Sequence, residues 1–137
     1  MKPAALAIVG ALVLGGLLPA WPCHAAADAA RGERIHARCL ACHALAYDRV
    51  GPRHCGLLGR HAGAVPGFEY SLAMRRSGLT WDEQTLDRFL AAPTQVVPGT
   101  TMTYDGVAEP QDRADLIAYL RRMGDSRTCR SGDAARR

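Results

Sequence analysis

The chain has 137 residues, of which 17 are basic and 13 acidic, and its formal net charge at pH 7 is +4. The sixteen arginines occur singly or in pairs, without a basic run or interleaved aromatic residues, which excludes a nucleic-acid-binding surface. A chain of this length suits one domain, small enough to need reinforcement by a cofactor or by disulfides among its five cysteines.

The N-terminus has the pattern of a secretory signal peptide. One lysine precedes an apolar run over residues 4–18, and small residues follow, so that cleavage is expected after Ala25 or Ala27. The apolar run of about 15 residues is shorter than the roughly 20 that a membrane-spanning helix needs. We therefore predict that residues 1–27 are removed on export to the periplasm, together with Cys23, and that the remaining cysteines lie in an oxidising compartment.

The first half of the mature chain predicts two short helices separated by a long loop. Asp28 can cap a helix that runs toward Cys39. Residues 46–65 are rich in Gly, Arg and His and have neither a helical nor an alternating period, which indicates a loop. Residues 71–77 predict a short helix that Gly78 ends.

The second half predicts two amphipathic helices. Thr80 and Glu83 fit a capping box, and the helix that they open ends at Pro93. Residues 94–108 are again expected to be a loop. Pro110 suits the first turn of a last helix. The fold is therefore predicted to be all-α, and short helices joined by such long loops are unusual unless a cofactor fills the middle.

The segment Cys39-Leu40-Ala41-Cys42-His43 carries the clearest chemical signal. Two thiols one helical turn apart, followed directly by an imidazole, form the C-x-x-C-H pattern of covalent c-type haem attachment. A redox-active dithiol is the main alternative, but that motif normally opens a helix after a strand, whereas this one follows a helix. A zinc site would need a second ligand pair at matched spacing, which the later cysteines do not supply.

A haem iron bound by His43 needs a sixth ligand unless the site is open. The candidates are Met74, Met102, Met123 and the other histidines. Met123 lies on an apolar helical stripe and is expected to be a core residue. Met102 lies in a loop whose Pro and Gly favour an extended backbone, which suits a side chain that points inward. If Met102 did not bind, a small haem protein with an open iron, peroxidase-like or gas-binding, would be the better interpretation.

Several segments together resemble one family. GERIHARCLACH, GPRHCGLLGR, PGFEYS, GLTW, VPGTTM and RADLIAYL occur in the order and spacing of the small soluble class I c-type cytochromes, the mitochondrial and proteobacterial electron carriers. The resemblance covers residues 28 to about 123. It implies the class I cytochrome c fold, in which short helices and loops wrap round one covalently bound haem and the N- and C-terminal helices cross.

The resemblance also implies residue roles. Cys39 and Cys42 would form the two thioethers of haem c, His43 would be the proximal iron ligand and Met102 the distal one. The carbonyl of Pro52 would accept a hydrogen bond from the other ring nitrogen of His43. Four more positions match residues that face the haem propionates or the edge near them: Arg60, Tyr70, Trp81 and Thr100. Gly32 and Tyr119 match the crossing of the terminal helices.

Three positions depart from the family pattern. His36 stands where an aromatic residue usually packs on the last helix, so the crossing could be looser or wetter. His54 stands where a leucine usually covers the haem, which raises the question of a second iron-binding histidine. Phe89 stands where a tyrosine usually approaches the sulfur of the distal methionine.

Two cysteines remain once the signal and the haem have accounted for the others. Cys55 and Cys129 would be the only free thiols in an oxidising compartment, which favours a bond between them. The implied fold supports this pairing, because the loop after Pro52 would run near the end of the last helix. The alternatives are a buried free Cys55 with a disordered Cys129, or a bridge between two molecules.

The resulting hypothesis is a soluble periplasmic electron carrier, not an enzyme, with no catalytic residue. Residues 28–124 would form the cytochrome domain, and residues 125–137 a tail tied down by Cys129. Membrane respiratory complexes, terminal oxidases or reductases would dock transiently at the haem edge of a monomer that does not insert stably into the membrane. A thiol-disulfide oxidoreductase is a further alternative.

Overall fold

The computed structural model describes residues 25–134, so that all but the last three residues of the predicted signal peptide lie outside it. It contains six α-helices within that range and no β-strand, only an isolated bridge between His61 and Thr80. A 3₁₀ turn, Ala37–Cys39, continues the first helix. The helices are α1 (Ala29–His36), α2 (Leu72–Arg76), α3 (Glu83–Ala91), α4 (Pro93–Val96), α5 (Pro110–Gly124) and α6 (Arg127–Ala134).

Helices α1 and α5 cross in close contact, as predicted. A Cβ atom on Gly32 would lie 2.0 Å from the carbonyl oxygen of Asp115, so only glycine allows the two backbones to approach this closely. The buried side chain of Asp115 accepts a hydrogen bond of 2.8 Å from the backbone N–H of Asp28. Asp28 in turn caps α1 by accepting from the backbone N–H of Ala30 at 2.8 Å. The crossing therefore combines steric fit with satisfied backbone groups.

The start of α3 differs from the sequence prediction. The capping residue is Asp82, not Thr80, and the reciprocal partner is Thr85, whose hydroxyl accepts from the Asp82 N–H at 2.9 Å. The N–H of Thr85 donates to the Asp82 carboxylate at 2.7 Å. Thr80 instead pairs with His61 in the isolated bridge, which keeps it in extended backbone.

The region predicted as loop after Pro93 begins with a short helix. Pro93 does end α3, and it also opens α4 at a first-turn position, where a missing N–H removes no helical hydrogen bond. Pro110 opens α5 in the same way, as predicted. Between these helices, residues 97–107 form an irregular segment, here called the distal loop.

The C-terminal segment is more ordered than a tail. It forms α6, and the fully buried Cys129 in this helix is bonded to Cys55, with 5.2 Å between their Cα atoms. The polar sequence of α6 has no apolar stripe of its own. Its place against the domain depends on this tertiary contact, because short helices are stabilised mainly by packing.

The buried core surrounds a cavity rather than filling the centre. Its members come from every part of the fold and include Ile35, Met74, Trp81, Leu86, Phe89, Leu90, Val97, Leu116, Ile117, Tyr119 and Leu120. Within residues 25–134, no helix is both long and apolar enough to cross a membrane.

Candidate haem site

One cavity of about 430 Å³ lies at the centre of the domain. It is bounded by the turn after α1, the loop over residues 50–60, helices α2 and α3, and the distal loop. All nine residues predicted to bind a haem or its iron line this cavity: Cys39, Cys42, His43, Pro52, Arg60, Tyr70, Trp81, Thr100 and Met102.

Cys39 and Cys42 lie on a tight turn that presents both thiols to the cavity. The N–H groups of Cys42 and His43 donate to the carbonyl of Cys39 at 3.1 and 2.9 Å. Neither cysteine belongs to a disulfide, and burial raises the pKa of the Cys39 thiol. Since the thiolate is the reactive form of cysteine, burial makes Cys39 less reactive.

The ring of His43 is held by the loop that follows it. Its Nδ1 donates to the carbonyl of Pro52 at 2.7 Å, which leaves Nε2 with the free lone pair that a metal ligand needs. A Cβ atom on Gly51 would lie 2.3 Å from Cε1 of the ring, so a side chain there would displace the imidazole. Burial lowers the pKa of His43 and thereby favours the neutral, ligating form.

Two further histidines lie behind His43. The ring of His54 stacks on that of His43, with centroids 4.3 Å apart and planes at 27°. Nδ1 of His54 lies 3.0 Å from Nε2 of His36, within hydrogen-bonding distance. His36 is only 2% exposed and packs against Tyr119, so the helix crossing is neither loose nor wet and that expectation was wrong. Burial lowers the pKa of His36 and, more strongly, that of His54.

The distal loop carries Met102 to the cavity and is anchored at both ends. Buried Val97 begins it, and the N–H of Val107 donates to the carbonyl of Leu90 at 2.8 Å. In between, the N–H of Met102 donates to the hydroxyl of Thr100 at 3.2 Å. Thr100 therefore shapes the backbone next to Met102 as well as lining the cavity.

Two other methionines were considered as ligands from the sequence. Met74 also lines the cavity and is buried. Met123 is absent from the cavity lining and packs against the core, as predicted. Met102 and Met74 are thus the two thioethers within the cavity among the described residues.

Donors for an anionic group collect around Arg60. Its Nη1 and Nη2 donate to the carbonyls of Cys55 and Arg53 at 2.9 and 3.0 Å. Its Nε is buried and has no hydrogen-bond partner in the protein. Tyr70 lines the same cavity. Burial raises the pKa of its hydroxyl, which therefore keeps a proton to donate.

These features fit a haem. The apolar cavity suits a porphyrin, the two thiols suit its covalent attachment, and the unpartnered Nε of Arg60 suits a propionate, since a buried donor needs an acceptor. No group of three or more His, Cys, Asp or Glu residues in the described chain is arranged to hold a metal ion by itself.

Sequence reasoning missed part of the cavity wall. It did not foresee that Gly51 must lack a side chain, although glycine is the usual residue where another group approaches the backbone closely. It treated Met74 only as a possible ligand and not as a wall residue. It identified Phe89 from its place in the family pattern, but not its packing on Trp81, at 4.9 Å between ring centroids.

Comparison with known proteins gives the same family. No protein-family model matches the chain. A cytochrome c2 of Rhodomicrobium vannielii is 46% identical over 123 residues, which is 88% of this chain and 95% of that protein. A cytochrome c2 of Blastochloris viridis is 44% identical over 102 residues, covering 72% of this chain and 80% of that protein.

A solved structure agrees with these relatives. Cytochrome cH from Methylobacterium extorquens matches with a TM-score of 0.68 and 44% identity, over 69% of this chain and 98% of that one. The predicted all-α fold is the fold of that neighbour. The chain therefore belongs to the class I c-type cytochromes.

Proposed function

We propose that this protein is a periplasmic carrier of single electrons. It holds one haem c through thioether bonds to Cys39 and Cys42, with His43 and Met102 as the axial ligands. The observation that carries the proposal is the convergence of these four side chains on one cavity, although the distal loop lies far from the attachment motif in sequence.

The family supports electron transfer rather than catalysis. Class I c-type cytochromes are electron carriers and not enzymes, and this chain is one of them. The bound haem supplies a single-electron Fe(III)/Fe(II) couple, and a methionine ligand raises its reduction potential. With both His43 and Met102 bound to the iron, no substrate would reach the metal.

The residues around His43 prepare it for this role. The hydrogen bond from Nδ1 to Pro52 selects the ring tautomer and orients the ring, as is usual for histidines that bind metals. The same bond increases the electron-donating strength of Nε2. A ligand that does not move between oxidation states lowers the reorganisation that each transfer requires.

The polar end of the cavity supports binding of the propionates. Arg60, Tyr70, Trp81 and Thr100 bear donor groups and line the cavity, and the Nε of Arg60 has no other partner. Pairing these donors with carboxylates compensates for the desolvation of both. This arrangement would also keep water away from the buried edge of the haem.

The proposed location rests on the sequence and on cysteine usage. The signal pattern of residues 1–27 predicts export, and the bond between Cys55 and Cys129 suits an oxidising compartment. We propose that redox proteins, such as membrane respiratory complexes and terminal oxidases or reductases, dock transiently at the haem edge of a monomer. The cytochrome domain would be residues 28–124, with residues 125–137 as an extension tied down by Cys129.

The Met102 ligand can be tested against the other methionine of the cavity. The variants Met102→Leu and Met74→Leu make the same chemical change in one cavity, and Met123→Leu is the control outside its lining. We expect the ferric sulfur-to-iron absorption band to disappear in Met102→Leu alone, and the ferrous iron of that variant to bind carbon monoxide. A band that survives in Met102→Leu would contradict the proposed ligand, and a band lost only in Met74→Leu would assign the ligand to Met74.

A further inference from the structure

The His36–His54 pair behind the attachment motif has no role in the function proposed above. His54 lies flat against His43, at 4.3 Å between ring centroids and 27° between planes. Its Nδ1 lies 3.0 Å from Nε2 of His36. The three rings are thus connected from the predicted iron ligand to the end of α1, stacked between His43 and His54 and edge to face between His54 and His36.

The backbone of His54 is fixed before its side chain is considered. Its N–H donates to the carbonyl of Ala44 at 3.0 Å, so the loop pairs with the residue that follows His43. Arg60 binds the carbonyls of Arg53 and Cys55, on either side of His54, at 3.0 and 2.9 Å. Cys55 is also held by its disulfide. The ring of His54 is therefore presented from a rigid support.

The hydrogen bond to His36 fixes the remaining freedom of this ring. An imidazole can turn about its last side-chain torsion, and a directional bond at Nδ1 selects one orientation. His36 is itself immobilised, because it ends α1, is buried and packs against Tyr119 at 5.1 Å between ring centroids. A neutral pair suffices for this bond, with one nitrogen donating and the other accepting.

The imidazole ring of His43 needs a contact on one of its faces to fix its plane. The bond from its Nδ1 to the Pro52 carbonyl fixes one edge of the ring, but a single hydrogen bond allows the ring to tilt about that edge. Gly51 contacts the ring closely enough to exclude any side chain. The flat ring of His54 limits tilting through contact with a face of the imidazole.

We propose that His54, oriented by His36, is a positioning residue that sets the plane of the His43 imidazole. This rests on the proposed function, in which His43 binds the haem iron. Partners beyond the ligands themselves orient a metal-binding histidine and tune the metal. An aliphatic residue in place of His54 could fill the space, but it would offer neither a planar face nor a directional bond to α1.

The test reads the orientation of the ligand rather than the activity of the protein. In the ferric haem protein, the order and spread of the haem methyl proton resonances, and the g-values of the low-spin iron, depend on the plane of the axial imidazole. The variants are His54→Leu, His54→Phe, which keeps a flat ring without the hydrogen bond, and His36→Phe, which keeps an aromatic ring at the helix crossing. His61→Phe is the control, since His61 is an exposed histidine that bonds Thr80 and does not line the cavity.

We expect a change in the methyl pattern and g-values for His54→Leu, a smaller change for His54→Phe and none for His61→Phe. His36→Phe should shift the same signals in the parent protein but produce no further shift when His54 is already leucine, because His36 acts through His54. If His54→Leu does not retain haem, the comparison of His36→Phe in the parent and in His54→Phe replaces it.

Two results would overturn the proposal while leaving the proposed function intact. One is an unchanged methyl pattern and unchanged g-values in the folded His54 variants. The other is a His36→Phe shift of equal size with and without His54. A parent protein that carries no covalently bound haem, or whose iron is not bound by His43, would instead contradict the proposed function.

Discussion

Removal of the bond between Cys55 and Cys129 should destabilise the protein by an amount that depends on the length of the loop that the bond closes. The two residues are 74 positions apart, and the loop between them contains α2, α3, α4 and α5. A cross-link stabilises mainly by restricting the unfolded chain, and the restriction increases with loop length. The double variant Cys55→Ala/Cys129→Ala opens this loop and removes only two sulfur atoms from the interior.

The loop length gives an upper value for the effect. On the chain-entropy relation, a loop of about 75 residues corresponds to about 4.5 kcal/mol at 25 °C. Met102 lies inside the loop. Any binding of Met102 to the haem iron that persists in the unfolded chain would already restrict the same segment and lower this value. We therefore expect a loss of roughly 2–4 kcal/mol in the free energy of unfolding. At a urea slope of about 2 kcal/mol per molar, the midpoint falls by roughly 1–2 M.

Urea unfolding followed by helical circular dichroism measures this loss. Ascorbate in every sample keeps the iron ferrous without reducing disulfides, so that differences in oxidation state do not contribute. The single variants Cys55→Ala and Cys129→Ala are the matched controls. Because each opens the same loop, each should lose nearly as much stability as the double variant, and the urea slope should rise as the unfolded chain expands.

Two results would refute this reasoning. A loss below about 1 kcal/mol with an unchanged slope would mean that the bond does not restrict the unfolded chain. Single losses that add up to the loss of the double variant would mean that packing at each cysteine, not the cross-link, provides the stability. Two alkylatable thiols in denatured, unreduced protein would show that the bond does not form.

Two further predictions concern the potential and docking. Phe89→Tyr should raise the reduction potential, because a hydroxyl that donates to the Met102 sulfur withdraws electron density and disfavours Fe(III). An optical redox titration measures this change. A lower potential with the fold intact would show that packing, not the hydrogen bond, determines the effect. Association with the electron acceptor should slow only gradually as salt increases, because exposed Arg34, Arg38 and Arg49 give the region around the attachment motif a modest charge and therefore weak electrostatic steering. A steep salt dependence in stopped-flow kinetics would contradict this view.

The local signals of the sequence predicted much of the fold. Asp28 caps α1 and Pro110 opens α5, as predicted, and each acts through atoms only a few residues away along the chain. The helix predicted over residues 71–77 is α2, with Ser71 as its cap. The start of α3 was placed wrongly because both Thr80 and Asp82 can cap a helix. The bridge to His61, 19 residues away, decides between them.

Helices α4 and α6 could not be recognised from local pattern. α4 has only four residues, too few to show a period. α6 has no apolar stripe, and its position depends on the bond from Cys129 to the loop beside the cavity. In both cases the surroundings stabilise a helix that the segment itself does not favour.

The chemistry of the site could be predicted from the sequence alone, because the C-x-x-C-H motif places two thiols and an imidazole within five consecutive residues. The contacts that support these groups could be found only in the folded molecule. The stack of His54 on His43, its bond to His36 across 18 residues of chain, and the unpartnered Nε of Arg60 all depend on how separate segments pack. These contacts produce no periodic pattern in the sequence. Each depends on how two separate loops or helices approach each other and not on a residue type that repeats along the chain.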